Sequence, residues 1–514
     1  SEGDSSVTIS WTANTEDDIS KYRIYYGTST AATLLDSVSG TPSYTATGLD
    51  NYTTYYFAVS TVDLDGYESG KSNEVSGEPK WFGPIWYVDE VNGLAGSSAD
   101  GSPAAPFREI QDAIDAVDPL SRNDGLKDTI LVLPGTYDRS DDQELYFKYT
   151  SGTLDGQPKN LVLKSRDGAA TTILDGEGSK RLFEIVDGTD TTLQIIGFTV
   201  TGGGENDGMG NAIKVEGQQT WNINTQQNEY NPSGAVFKEC IFNENGTEAN
   251  PAEDPVIYLV SANVRFEDCT IENNHVLKPS YSGEGAAIWA SEGSDLNIIR
   301  TKIVDNSLTA GNDASGAGIY MSWSSDNNLI VVNSIIARNT ATSGSFYNSR
   351  GAGIVVRGGT ATIINSTIVE NVNNSNQTEG GSGIFVSSDG SENDTKLNVQ
   401  NSIIFGNTPM DNQLHLDDWA NVSHYVSYSI IQGEDVNDFE DGVLDVDPDF
   451  ADTTYVLHER SPAIGAGETE SEDTEGDPIY APAGDIAGNA RPNPSGSNPD
   501  LGAYEHELAV TPYP

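Results

Sequence analysis

Cysteine, methionine, histidine and positive charge are all scarce in this chain of 514 residues, which has 2 Cys, 3 Met and 5 His. Two cysteines are too few for a disulfide scaffold. The histidines, at 275, 415, 424, 458 and 506, show no metal-ligand spacing. Lys and Arg total 26 against 78 Asp and Glu, for a net charge of −52. A surface of that sign repels phosphate backbones and anionic headgroups, which argues against nucleic acid and anionic membranes as partners. No apolar run approaches the ~20 residues of a membrane span, so no membrane insertion is expected. No secretory leader is legible at the start, and an exported protein would have lost one. What abounds is glycine, 53 residues, with many Asn, Ser and Thr. That composition predicts many short strands joined by tight turns. Together with the charge it suits an extracellular or cell-surface protein.

Residues 1–78 alternate in period 2. Val7-Thr8-Ile9-Ser10-Trp11 puts Val7, Ile9 and Trp11 on one face, and Tyr22 to Tyr26 and Thr54 to Val59 follow as further strands. With Gly48-Leu49 and the run from Asp63 through Gly66 to Ser69, this stretch resembles a fibronectin type III domain. The resemblance implies a β-sandwich. Such domains carry a strand about ten residues ahead of the one holding the tryptophan. Here only Ser1 to Asp4 precede it, so the first strand is expected to be missing and an apolar groove to stand open.

After a stiff linker, residues 79–85, one strand motif recurs for most of the chain. It ends in Asn at 245, 274, 306, 339, 371 and 407, about 30 residues apart, with a degenerate copy at 429–434. A second strand alternates with it, its first inward residue being Phe183, Ile213, Ile257, Ile288, Ile319, Ile354, Ile384 and Leu414. In several copies a small run such as Gly316-Ala317-Gly318 precedes it. A fixed period near 30, with two short strands and no helical pattern, indicates a β-solenoid. Stacking then piles Ile on Ile inside and Asn on Asn at a turn, as a ladder that tolerates left-handed backbone. Cys240 and Cys269 fall where other coils carry Thr301, Ser334, Ser366 and Ser402. They read as buried free thiols, although neighbouring coils also suit a disulfide.

Gly101-Ser102-Pro103, Pro106-Phe107, residues 110–114 and residues 128–137 resemble the opening of bacterial pectate-lyase-like β-helix proteins. Residues 107–117 are amphipathic and predict a helix capping the open end. Residues 461–464, 485–492 and 500–505 resemble the closing module of such secreted proteins, except that Gly465 stands where the family has Asp. The fold class is then all-β: a right-handed parallel β-helix with an N-terminal helix cap, preceded by a fibronectin type III-like sandwich lacking its first strand. The expected divisions are 1–78 for the sandwich, 79–85 for the linker, 86–445 for the β-helix, 446–505 for the closing module and 506–514 for an extended tail.

Fold alone does not give activity. Lyases on this fold need a basic residue and a partner for the uronate carboxylate. Arg338, Arg350 and Arg357, with Lys302, are the nearest grouping, and none lies in a lyase motif. Hydrolases need paired acids, but Asp305 and Glu370 read as solvated turn residues. No catalytic residue is assigned. Acidic stretches at 435–441, 445–449 and 468–477 are where Ca²⁺ would bind, though without an EF-hand pattern.

The residue after each inward Ile points outward: Glu184, Lys214, Tyr258, Trp289, Tyr320, Val355, Phe385 and His415. Tyr258, Trp289, Tyr320 and Phe385, with Arg357 two residues past Val355, form a stripe. It suits polysaccharide or a protein partner if exposed, and a cover of loops from the same chain if not. Leu508 and Val510 alternate like a spare strand. With the missing strand at the other end, they suggest a head-to-tail polymer by strand donation. The first functional reading is a non-catalytic structural or adhesive protein, self-assembling in this way. The alternatives are a polysaccharide lyase and a carbohydrate-binding adhesin.

Overall fold

The computed structural model describes residues 1–81, 83–117, 127–138, 145–148, 161–186, 191–204, 207–222, 227–344, 348–374, 381–388, 395–410, 413–417 and 421–508.

The first module is a sandwich of two antiparallel sheets. One holds Glu2–Gly3, Ser6–Ser10 and Ser43–Thr47, and the other Thr33–Val38, Ile19–Gly27, Tyr55–Asp63 and Val75–Gly77. Val7, Ile9, Tyr22, Ile24 and Phe57 fill the space between, and Trp11 meets the Tyr22 ring edge-on at 5.1 Å. The first strand is reduced to Glu2–Gly3, in register with Val7 and Ser6. The expected open groove is not there. Val7 and Ile9 are buried, and Gly77 lies so close to Val7 that a Cβ on it would sit 2.7 Å from the Val7 Cγ1.

From Ile85 the chain winds a right-handed parallel β-helix. Ile85 is already part of its first strand, Ile85–Val88, rather than of the linker. Each coil adds one strand to each of three parallel sheets, which have eleven, ten and nine strands among the described residues. One coil runs Ile257–Val260 in the nine-stranded sheet, Ala262–Glu267 in the eleven-stranded and Thr270–Glu272 in the ten-stranded. Side chains alternate in and out, so the first inward positions stack in register: Phe183, Ile213, Ile257, Ile288, Ile319, Ile354, Ile384 and Leu414. All eight are buried. The capping helix is Ile110–Ala116; its Ile110, Ala113 and Ile114 join the same core.

Two side-chain ladders fix the turns. Asn245, Asn274, Asn306, Asn339, Asn371 and Asn407 are fully buried. Each Nδ2 donates to the Oδ1 of the next Asn, at 3.2, 2.8, 2.9, 2.9 and 2.8 Å, and Gln413 ends the series at 2.8 Å. The left-handed residue is not the Asn itself but the one before it: Glu244, Asn273, Asp305, Arg338, Glu370 and then Gly406. The turn needs one positive φ to redirect the chain, and placing it there frees the Asn side chain to point inward.

At the preceding turn, Thr301, Ser334, Ser366 and Ser402 each donate to the carbonyl two residues back, at 2.8–2.9 Å. Cys240 and Cys269 are free buried thiols in this column. They contact the carbonyls of Lys238 at 3.2 Å and Glu267 at 3.4 Å in the same manner. Burial pushes the Cys269 thiol pKa up. Because a hydroxyl already fills this position in other coils, Cys240→Ser and Cys269→Ser are each expected to change stability by less than about 1 kcal/mol in thermal melts.

The C-terminal end of the solenoid is closed by residues 436–444. Val443 enters the core, with Val436 and Phe439 against it, and Leu444 bridges to Ile430. The module at 446–505 does something else. It lies along the outer face of the ten-stranded sheet, where Tyr455, Leu457, Ile464 and Leu501 cover Val304, Ile335, Val369, Ile403 and Ile430. Those outward residues are apolar, so they need a cover along the side, and the module supplies it. Leu508 is not part of a strand, and its side chain packs against this same cluster. Val510 lies outside the described residues.

Candidate functional site

The outward column of the nine-stranded sheet is in register as expected: Glu184, Lys214, Tyr258, Trp289, Tyr320, Val355, Phe385 and His415. It is not a uniformly exposed stripe. Tyr258 and Trp289 are half-buried and stack face to face, with centroids 4.6 Å apart and planes 6° from parallel. Tyr320, Val355 and Phe385 are buried as a small cluster with Trp289 at its border. Outward by period 2 is therefore not exposed, because side walls rise beside this face.

One wall is a second layer that the repeat did not reveal. The loops after the Asn ladder form a four-stranded parallel sheet (His275–Lys278, Ser307–Ala310, Thr340–Thr342 and Val372–Asn374) and a three-stranded one (Gly283–Glu284, Ala314–Ser315 and Ser349–Arg350). Between them lies an alanine-rich core of Val276, Ala286, Leu308, Ala310, Ala314, Ala317, Ala341 and Ala352. The small residues before each inward Ile were its signal. They let this wall approach the sheet closely.

Arg357 projects from just beyond the strand Ile354–Val356. Its guanidinium lies 4.6 Å from the Trp323 ring centroid, 5.6 Å from that of Phe385 and 5.8 Å from that of Tyr320. Arg350 lies 5.9 Å from the same Phe385 ring and 3.6 Å from Asp313. Trp323, absent from the sequence-derived candidates, is 46% exposed. It sits in the turn after Ile319–Met321, outside both recurring strands. Glu284 accepts from the Trp289 Nε1 at 3.4 Å. Burial drives the Tyr320 pKa well up, opposed by Arg357 and reinforced by Glu284.

The electrostatics single out Arg357. The other arginines of the coils from Arg166 to Arg350 are met by acids, mostly from the coil before or after, whereas Lys164 and Lys302 make no ion pair among the described residues. Lys214 meets Glu216 at 2.8 Å and Glu184 at 3.2 Å, Arg300 meets Glu267 at 2.6 Å and Asp268 at 2.7 Å, and Arg338 meets Asp305 at 2.7 Å. Among the described residues Arg357 has no ion pair, and its Nε is buried without a hydrogen-bond partner. Aromatic faces stabilise its charge in place of a carboxylate. Arg338 does not join the site. It faces the C-terminal module and donates to the Tyr455 hydroxyl at 2.6 Å. Asp305 and Glu370 belong to that same contact, through Arg338 and Tyr455.

Among the described residues no group of three or more His, Cys, Asp or Glu is arranged to hold a metal ion. In the stretches named for calcium, Asp445 accepts the Gly433 N–H at 3.0 Å, Asp447 that of Asp449 at 2.9 Å, and Asp473 those of Glu475 and Asp477 at 2.8 and 2.9 Å. These acids serve turns. No described helix is long and apolar enough to cross a membrane.

Residues 1–78 match the fibronectin type III domain family. Among the solved structures similar to the chain are two of low identity. One is a family 28 exopolygalacturonase of Yersinia enterocolitica, 13% identical, covering 84% of this chain and 90% of that chain with a TM-score of 0.23. The other is a pectate lyase of Erwinia chrysanthemi, 9% identical, covering 82% and 98% with a TM-score of 0.14. Comparison with curated protein sequences gives no match. The class of protein is thus set by the fold itself, a parallel β-helix behind a fibronectin type III domain. Its site is argued from this chain's own residues.

Proposed function

We propose that this is an extracellular polysaccharide-binding protein, which holds an acidic glycan along the outer face of the nine-stranded sheet. The observation that carries the reading is Arg357. In a chain with 78 acids and 26 bases, this guanidinium is held among aromatic rings and makes no ion pair with a described acid. A sugar carboxylate would complete it as a charge-assisted pair. Trp323 and the Tyr258–Trp289 stack offer apolar faces on which pyranose rings rest. Their order along the solenoid axis suits a linear chain spanning several coils.

Binding of a uronate oligosaccharide, measured by calorimetry, is the test. Arg357→Gln is expected to weaken it by about 10- to 100-fold, the equivalent of one charge-assisted contact. Trp323→Ala should weaken acidic and neutral oligosaccharides alike. Unchanged uronate affinity in Arg357→Gln would overturn the reading.

A lyase is the second reading. It is favoured by Arg350 and Arg357 both lying within 6 Å of the Phe385 ring, one to take a proton and one to face the carboxylate. Unsaturated products absorbing at 235 nm would support it, provided that they vanish with Arg357→Gln.

A further inference from the structure

Among the described residues the most concentrated buried charge lies away from this face, inside the C-terminal module. Asp485, Asp500, Glu505 and Arg491 are all buried. Three carboxylates against one guanidinium leave the group two charges short of neutral when all are ionised. Their partners are unequal. Asp485 accepts from Ala487 N (2.9 Å), Asn489 N (2.7 Å), Asn489 Nδ2 (3.0 Å) and Glu505 N (3.1 Å). Glu505 holds the Arg491 Nε at 2.9 Å and accepts from Asn493 N and Asp500 N. Among the described residues the Asp500 carboxylate has only the backbone N–H groups of Gly465, at 2.7 Å, and His506, at 2.6 Å. Arg491 faces Glu505 at ion-pair distance and donates from Nη2 to the Gly502 carbonyl, while its buried Nε and Nη1 have no aligned hydrogen-bond partner.

Asp500 is also where the module meets the solenoid. Its carbonyl accepts from the Asn365 Nδ2 at 2.9 Å, the Gly502 N donates to the Asn401 carbonyl at 2.8 Å, and the Ala503 N donates to the Thr367 Oγ1 at 3.0 Å. A Cβ on Gly502 would lie 2.8 Å from the Ile403 Cδ1, so the segment rests directly on the strands beneath. The charged cluster therefore stands immediately behind the docking segment.

We propose that docking of the C-terminal module onto the ten-stranded sheet is coupled to protonation of this cluster, so that the module is held tightest with one carboxyl neutral and loosens as the cluster takes its full charge. Asp500 carries the proton. Burial pushes its pKa up to about 7, Glu505 adds to the rise, and the His506 and Gly465 N–H groups and Arg491 oppose it. The charged or titratable groups facing it are Glu505, Asp485, Arg491 and His506. The solenoid side presents Asn365, Thr367 and Asn401. The folded pKa is raised above the ordinary carboxylate value of about 3.9. Folding thus takes up a proton between these values. The stabilisation is complete below about pH 4 and is lost as pH rises through about 7. Release uncovers Ile335, Val369, Ile403 and Ile430, an apolar strip on successive coils.

Amide hydrogen exchange on the full chain tests this, with rates corrected for intrinsic exchange. Protection of the Gly502 and Ala503 amides, which bond to the solenoid, should fall about tenfold between pH 6 and pH 8.5, while the Asn306 and Asn339 amides in the solenoid keep theirs. The step should vanish in Asp500→Asn and persist in His506→Gln. A flat profile in the wild-type chain, an equal step at the Asn-ladder amides or loss of the step in His506→Gln would each overturn the proposal. The wild-type and His506→Gln profiles decide the matter even if Asp500→Asn fails to fold.

Discussion

Replacing Asn339 with alanine is expected to destabilise the solenoid by about 3–6 kcal/mol, out of proportion to the few atoms removed. The side chain donates to the Asn371 Oδ1 and the Ile303 carbonyl, both at 2.9 Å. Its Oδ1 accepts the Asn306 N at 3.2 Å and the Asn306 Nδ2 at 2.9 Å. Truncation orphans the Asn306 N–H in a fully buried column, at a cost of about 1–3 kcal/mol, and removes three further bonds worth about 1 kcal/mol each, although Asn371 Oδ1 keeps the Asn339 N–H and Asn306 Nδ2 keeps the Ile271 and Val304 carbonyls. Some relaxation lowers the sum. Because coils contact mainly their neighbours, the damage falls on one interface in mid-array. Denaturant unfolding should show a lower midpoint and a transition that broadens or splits, since the halves lose their coupling. Lys164→Ala, exposed on the outer face of the eleven-stranded sheet, is the control and should change stability by less than about 0.5 kcal/mol. A loss below about 1 kcal/mol for Asn339→Ala would mean that the ladder does not hold the coils in register.

Arg491→Ala is expected to have an effect of similar size in a different place. Removing one partner of a buried ion pair costs about 3–5 kcal/mol, because the remaining charge has no solvent to turn to. Here three buried carboxylates would remain with no cation among them. The solenoid does not depend on this group, so the loss should be local. Limited proteolysis should cut within 446–508 at far lower protease concentration, while the solenoid resists. Equal resistance of the module in the variant and wild-type chains would show that Arg491 is not its keystone.

The repeat was legible because a parallel solenoid converts spacing into geometry. Once the recurring Asn positions were aligned, the stacking of Ile257 on Ile288 on Ile319 followed, and so did the outward column beside it. What the repeat could not disclose lay outside it. Whether Tyr320 or Phe385 met solvent depended on a wall built from loops of unequal length, whose alanine core has too few large side chains to stand out. The lateral position of the C-terminal module depended on the outward Ile335 and Ile403, which read equally well as a surface or as a seat. The left-handed residue before each Asn was hidden for another reason. Glu, Asp, Arg and Asn all occupy it, so no single residue type marks the position. Arg357 is legible in the sequence from its place beside the aromatic column. Its isolation from acids was visible only once the partners of the other cations were known.

The lateral module also determines how the rod bears load. Its contacts reach Asn333 through Gly484, Glu370 through Tyr455, Asn398 through Thr474 and Asn401 through Glu468. Tension arriving from the carboxyl side is thus shared by several rungs in shear and is not concentrated on the outermost one, where strands would peel away singly. A tether attached beyond residue 505 would pull on a splint, and the winding beneath it would yield only after that splint had torn free.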